Sequence, residues 1–215
     1  MAFITRPETC VMNVDRRTSE LRFPKGHNLA KGNETPPDGE YWMRGGICWP
    51  VFSKALEKYQ GFAVMLGWHV ETRVMYLLAE QSFLSVEHVT NEEGFIEAPG
   101  LCRWLNQAWT DFYGDSYYWH QDYETNRKYL LETVRSPTVQ PKPRYVEVEW
   151  KEDDDAWLTF WQLESQGKVV YSGASEFSRQ LGQFNADDEA KHVEYPALYA
   201  MMCGVNGVVG APPRF

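Results

Sequence analysis

The sequence predicts an α+β protein in which an antiparallel sheet, or two such sheets, packs against helices and is preceded by an extended N-terminal arm. Two segments rich in β-branched and aromatic residues, FAVMLGWHV and RVMYLLAEQSFLSVEHV, are typical of strands. A third segment, GLCRWLNQAWTDFYG, repeats apolar residues at helical spacing. Residues 1–40 instead combine prolines, glycines and asparagines without a sustained apolar period, which favours an arm.

The chain of 215 residues is long enough to bury a sizeable core. We expect residues 41–215 to form a single α+β body that follows the arm. The proline-containing segment SPTVQPKP divides this body into two halves, residues 41–136 and 141–215. We expect the two halves to share one core.

The first half is predicted to alternate helices and strands. FSKALEKYQG places Phe52, Leu56 and Tyr59 on one helical face, with Gly61 as its end. The two strand segments that follow are joined at ETR in a predicted hairpin. Their nearly continuous apolar character indicates strands that are covered on both faces, or on one face plus a helix. GLCRWLNQAWTDFYG is a helix, and DYETNRKYLLETVRSP is predicted to be a second one.

The second half is predicted to begin with a three-stranded antiparallel meander. RYVEVEW alternates apolar and acidic residues, KEDDD is a turn, and AWLTFWQL and VVYSG are the returning strands. ASEFSRQLG and YPALYAMMCG are predicted to be short helices that end at glycine. The tail VNGVVGAPPRF is predicted to be irregular.

Composition favours a soluble protein of the cytoplasm, or of the host cytoplasm or virion if the source is a virus. The net charge is −9 and the sequence pI is about 5.1, a balance that disfavours direct binding to nucleic-acid phosphates. No apolar run approaches the length of a membrane span, and the segment MAFITRPETC lacks the apolar core that a signal peptide needs. The four cysteines lie far apart without a Cys-x-x-Cys pair, which favours reduced thiols.

An acidic run is the strongest candidate for a binding surface. It is predicted to lie on one hairpin and its turn, and it comprises Glu147, Glu149, Glu152, Asp153, Asp154 and Asp155. Such a run discourages edge-to-edge pairing of strands, and it also suits docking of a basic protein. In the strand predicted for AWLTFWQL, Trp157 and Trp161 share one face, so we include them in the predicted surface.

His120 and Asp122 are the candidates for a metal site. Residues separated by one position on a strand point the same way, so both could reach one metal ion. The string WHQD is similar to the motif of phytanoyl-CoA-hydroxylase-like oxygenases, and the resemblance covers only these four residues. The resemblance implies a non-haem iron(II) site that uses 2-oxoglutarate. Such a site also needs a distal histidine and a downstream arginine, and the candidates for these are His192 and Arg214. The alternative is that Asp122 caps the following helix while His120 packs at its edge.

The sequence favours a non-enzymatic protein-protein interaction protein that uses no cofactor. Two versions remain open, namely a subunit of an assembly, including a viral one, and an acidic inhibitor of a basic target. The partner is another protein or a further copy of the chain. The alternative function is an iron(II)/2-oxoglutarate oxygenase that uses His120, Asp122 and His192.

Overall fold

The protein contains ten strands and four complete helices in the part of the chain that the structure describes. This computed structural model describes residues 11–13, 18–21, 36–53, 58–84, 89–90, 96–97, 99–112, 116–121, 131–139, 144–148, 155–184 and 195–209. The strands are β1 (Val11–Asn13), β2 (Thr18–Leu21), β3 (Gly39–Ser53), β4 (Lys58–His69), β5 (Val74–Leu84), β6 (Val89–Thr90), β7 (Ile96–Glu97), β8 (Ser116–Gln121), β9 (Arg144–Glu147) and β10 (Val169–Val170). The helices are α1 (Pro99–Phe112), α2 (Asp155–Ser165), α3 (Glu176–Gln183) and α4 (Pro196–Val209), and residues 131–135 are also helical.

Eight of the strands form one mixed sheet, and the α+β class predicted from the sequence is confirmed. Strands β1 to β5 pair antiparallel in chain order, and β10 pairs parallel with β5. The other edge of β3 is shared by two strands. Strand β2 pairs with its beginning at residues 39–41, and β8 pairs parallel with it at residues 45–49. Strand β9 extends the sheet beyond β8, again in parallel.

The hairpin predicted between the two long strand segments is confirmed as β4 and β5. The antiparallel ladder begins with the pair His69 and Val74, and the backbone N–H of Arg73 donates to the carbonyl of His69 at 2.9 Å. Arg73 has a φ of 56°, a left-handed conformation that closes the turn. The register shifts beside Leu78, so that Leu78 and Ala79 both contribute to the same core.

The sheet has a hydrophobic core on each face, which is one of the two arrangements that the continuous apolar strands indicated. On β4, Ala63 and Met65 belong to the core that α1 and residues 134–139 cover. Phe62, Val64 and Leu66 belong to the opposite core, which α2, α3 and α4 cover. Residues from both predicted halves therefore pack on one sheet. Helix α1 extends over the predicted segment and buries Trp104 and Phe112, which confirms it.

Helix α4 is buried on nearly all sides, and here the sequence prediction was wrong. The helix was expected to end at Gly204, yet it continues to Val209. The glycines are contact points in this helix and do not terminate it. A Cβ on Gly204 would lie 2.7 Å from the Leu66 side chain, and one on Gly207 would lie 2.2 Å from the Tyr118 ring. The glycines therefore let α4 lie close against β4 and β8.

The helix predicted over FSKALEKYQG is also wrong. Phe52 lies in β3 and pairs with Tyr59 in β4, and Ser53 pairs with Lys58. The chain therefore reverses direction between these strands, although Leu56 lies outside the described residues. Three apolar residues at helical spacing were too few to outweigh a long antiparallel ladder, because each added strand residue continues its hydrogen bonding.

The predicted antiparallel meander is wrong as well. Strand β9 runs parallel to β8, with Ser116 opposite Arg144 and Tyr118 opposite Val146. The segment AWLTFWQL forms α2, and β10 pairs with β5 instead of with β9. This arrangement depends on pairing between strands that are far apart in the sequence, which a local residue pattern does not contain. The predicted arm at residues 1–40 lies mostly outside the described residues, and only β1, β2 and residues 36–40 can be placed.

Candidate protein-interaction surface

Helix α2 carries the largest exposed apolar side chains in the part of the chain that the structure describes. Leu158 is 59% exposed and Trp161 is 42% exposed. On the opposite side of the helix, Ala156 and Phe160 are fully buried in the core beneath the sheet. This division follows from helical geometry, because residues three and four positions apart lie on the same side. The strand predicted here would have put Leu158 and Phe160 on one face, and the helix separates them.

The exposed tryptophan rests on a fixed support. Its ring makes an edge contact with the ring of Phe160, with centroids 5.1 Å apart and an interplanar angle of 67°. Phe160 in turn contacts Phe177 of α3, with ring centroids 5.8 Å apart. Buried aromatic rings in edge contact hold each other's orientation. Trp161 is therefore presented to solvent from a rigid base.

Trp157 lies at the boundary between the buried and exposed sides of α2. It is half-buried, and its ring stacks on Phe184 with centroids 5.2 Å apart and an interplanar angle of 16°. It also makes an edge contact with Tyr199 of α4 at 5.7 Å. Of the two tryptophans predicted for the surface, Trp157 thus packs against Phe184 and Tyr199, while Trp161 is exposed. Leu158 was missed, and only the helical spacing of Ala156 and Phe160 could have indicated it.

The acidic run lies between β9 and α2. Glu147 is the last residue of β9 and Asp155 is the first residue of α2. The backbone continues to Val148, whose N–H donates to the carbonyl of Trp119 at 2.9 Å. Glu149, Glu152, Asp153 and Asp154 lie outside the described residues.

The N-termini of α3 and α4 are bound by two side chains, those of the half-buried Glu80 and the buried Gln180. The carboxylate of Glu80 on β5 accepts from the N–H groups of Glu176 and Phe177, at 2.6 and 3.1 Å, at the start of α3. Burial raises the pKa of Glu80, while these two hydrogen bonds lower it. The amide oxygen of Gln180 accepts from the N–H of Ala197 at 2.8 Å at the start of α4. These acceptors satisfy N–H groups that have no partner within their own helix.

The predicted metal site cannot be assembled from the described residues. His120 lies in β8 opposite Cys48 of β3, while Asp122 and His192 lie outside the described residues. Within the described part of the chain, no group of three or more histidine, cysteine or acidic side chains is placed to hold a metal ion. The iron site therefore stays a prediction.

Three cysteines and His69 also carry chemically reactive side chains, and all four residues are buried. Cys48, Cys102 and Cys203 are buried thiols, and Cys10 lies outside the described residues. The Nδ1 atom of the buried His69 accepts from the backbone N–H of Thr72 at 3.2 Å, and burial lowers the pKa of this histidine. His69 is therefore a neutral ring that organises the β4–β5 turn.

Comparison with known proteins adds no functional assignment. No protein-family model matches the chain, and no curated protein matches its sequence. In the part of the chain that the structure describes, no helix is long and apolar enough to cross a membrane.

Proposed function

We propose that this chain is a non-enzymatic protein-protein interaction protein that binds a basic partner through α2 and the acidic run before it. The observation that carries the proposal is the exposure of Leu158 and Trp161 on a helix whose other side is anchored in the core. Tryptophan is enriched among the residues that dominate binding energy at protein interfaces. The net charge of −9 adds long-range attraction toward a basic protein.

Two versions of this function make different predictions. A subunit of an assembly, including a viral one, would form ordered oligomers with itself or with a structural partner. An acidic inhibitor would remain a monomer and would form a complex of fixed stoichiometry with a basic target. Light scattering of the purified chain, alone and with its partner, separates these two versions.

The experiment that tests the proposal compares the full chain with a variant in which three acids are neutralised, Glu152→Gln, Asp153→Asn and Asp154→Asn. Each protein is used to capture partners from the source cells, and the captured protein is then purified and its affinity is measured directly. We expect a partner of net positive charge, weaker binding at higher salt, and weaker binding by the variant. A chain that binds no protein, or a partner whose affinity ignores both salt and the three substitutions, would contradict the proposal.

A further inference from the structure

Strands β1 and β2, which we call the N-terminal strand pair, join the rest of the sheet at three residues in the part of the chain that the structure describes. Strand β1 pairs with β2, and β2 pairs with residues 39–41 at the beginning of β3. On their other edge, these three residues are held by β4 and the turn after it. Tyr41 pairs with His69, and the backbone N–H of Val70 donates to the carbonyl of Glu40 at 3.0 Å. The attachment of the N-terminal strand pair therefore depends on how residues 39–41 lie against the end of β4.

The side chain of His69 lies beneath this attachment. The residue is only 2% exposed, and the centroid of its ring is 4.8 Å from that of Tyr41. Gly39 lies so close that a Cβ there would be 2.5 Å from the Nε2 atom of His69. The hydroxyl of Tyr41 donates to the carbonyl of Pro37, which ties the start of this segment to the same ring. Residues 37–41 therefore form a cover over the histidine.

The hydrogen bonding of His69 fits the neutral ring. The backbone N–H of Thr72 donates to Nδ1 at 3.2 Å, so this nitrogen uses its lone pair as an acceptor. A protonated ring carries a hydrogen on both nitrogens, and a donor would then face a donor. A charged ring also costs free energy when it is buried away from water. Protonation of His69 therefore conflicts with the covered arrangement.

Burial outweighs the nearby charges in setting the protonation of His69. Burial disfavours the charged ring, while the backbone of Asp38 and the charge of Glu71 favour it, and the balance lowers the pKa of His69. Burial also raises the pKa of Tyr41, which is therefore a neutral phenol. The charged and titratable residues of the segments around the ring are Asp38 before β3, Glu40 and Tyr41 in β3, Glu71 and Arg73 in the turn, and Tyr76 in β5.

We propose that protonation of His69 releases residues 37–41 from the end of β4, and with them the N-terminal strand pair, so that mildly acidic solution opens this end of the sheet. Once uncovered, the ring is hydrated and takes up a proton near its ordinary pKa of about 6.5. Because the covered ring binds a proton less readily, release is favoured below that pH. The uncovered backbone groups of β4 are then free to pair with another strand. This inference concerns a part of the chain remote from α2 in sequence and does not rest on the proposed function.

Hydrogen–deuterium exchange of the full chain at pH 7 and pH 5 tests this release. Exchange rates are expressed as protection factors, so that the intrinsic effect of pH on exchange is removed. The reporters are the amides of residues 39–41 and of Val70. The internal reference is residues 45–47 of the same strand, which pair with both β4 and β8.

Two variants of the turn separate His69 from its surroundings. His69→Gln keeps a side-chain acceptor for the N–H of Thr72 but does not titrate. Glu71→Gln is the matched control, because it removes an exposed charge from the same turn and leaves the histidine in place. A nuclear magnetic resonance titration of the His69 ring reports its proton uptake independently of exchange.

We expect the protection of the reporters to fall by up to about 25-fold between pH 7 and pH 5 in wild type, the change that linkage to one proton of pKa about 6.5 allows. The Glu71→Gln control should show the same fall, and His69→Gln should show none. The reference residues should keep their protection in all three proteins. The His69 ring should take up its proton over the same pH range in which the reporters lose protection.

Four outcomes would overturn this inference. An equal loss of reporter protection in wild type and His69→Gln would assign the pH effect to other groups. A parallel loss at residues 45–47 would indicate unfolding of the whole sheet instead of release at its end. Proton uptake by His69 with unchanged protection would show that the covered ring accommodates the charge. If His69→Gln already lacks protection at pH 7, the wild-type titration decides, and proton uptake in a different pH range from the loss of protection would contradict the proposal.

Discussion

The backbone of α4 lies directly against Gly46 of β3, and substitution of this glycine by alanine tests the packing directly. A Cβ at Gly46 would lie 1.9 Å from the carbonyl oxygen of Ala200 and 2.6 Å from the backbone nitrogen of Gly204. Ordinary contact for such an atom begins near 3.4 Å. Both obstructing atoms belong to the helix backbone, so no side chain can rotate out of the way.

To accept the methyl group, α4 would have to move about 1.5 Å away from β3, or the strand would have to bend by a comparable amount. A gap of about 1 Å already forfeits up to about half of a dispersion contact, and α4 is buried along almost its whole length. Overpacking typically costs about 1–3 kcal/mol. Because the contact is with backbone, we expect Gly46→Ala to cost at least about 3 kcal/mol of unfolding free energy, the upper end of that range.

Urea unfolding at equilibrium measures this cost through the midpoint and the slope. The matched control is Gly182→Ala in α3, where an added Cβ meets nothing within 4 Å. That variant should gain about 0.5–1 kcal/mol, because alanine is the better helix former. A Gly46→Ala protein within about 0.5 kcal/mol of wild type, with an unchanged slope, would refute the packing described for α4.

Three further predictions follow from the half-buried Glu80, from the buried His69 and from the sequence. Glu80→Gln should flatten the pH dependence of the unfolding free energy measured by urea, because it replaces a titrating carboxyl at the start of α3 by a neutral amide. The pKa of Glu80 is raised by burial, so the unfolded chain releases this proton first; stability should fall as pH rises above about 4.5, and the variant should show a smaller fall. Burial lowers the pKa of His69, so the unfolded chain takes up a proton below about pH 6.5 while the folded protein does not. The unfolding free energy should therefore fall by up to about 1.4 kcal/mol for each pH unit below that value. Urea unfolding between pH 7 and pH 5 should show a shallower fall for His69→Asn than for wild type. Iron analysis of the purified chain tests the oxygenase alternative, which requires stoichiometric iron that is lost in His120→Ala, whereas the interaction function predicts no iron dependent on that residue.

The composition of the candidate surface could be predicted from the sequence, but its shape could not. The charges were evident from the chain alone, and so was the presence of Trp161 near them. The shape of the surface was not, because AWLTFWQL is apolar at every second position and also at helical spacing. Its eight residues therefore satisfied both periods. The exposure of Leu158 followed only when the segment was found to be a helix.

The sequence by itself determined the elements whose pattern is long and has one period. Helix α1 repeats its apolar residues over three turns, and β4 and β5 are long apolar strands joined by a short polar turn. Local geometry decides such segments, because no other conformation buries the same residues together. Tertiary structure alone decided the parallel pairing of β9 with β8, the helical state of α2, and the passage of α4 through Gly204 and Gly207. Each of these depends on which distant surface the segment meets, and a glycine that ends one helix can let another approach a strand.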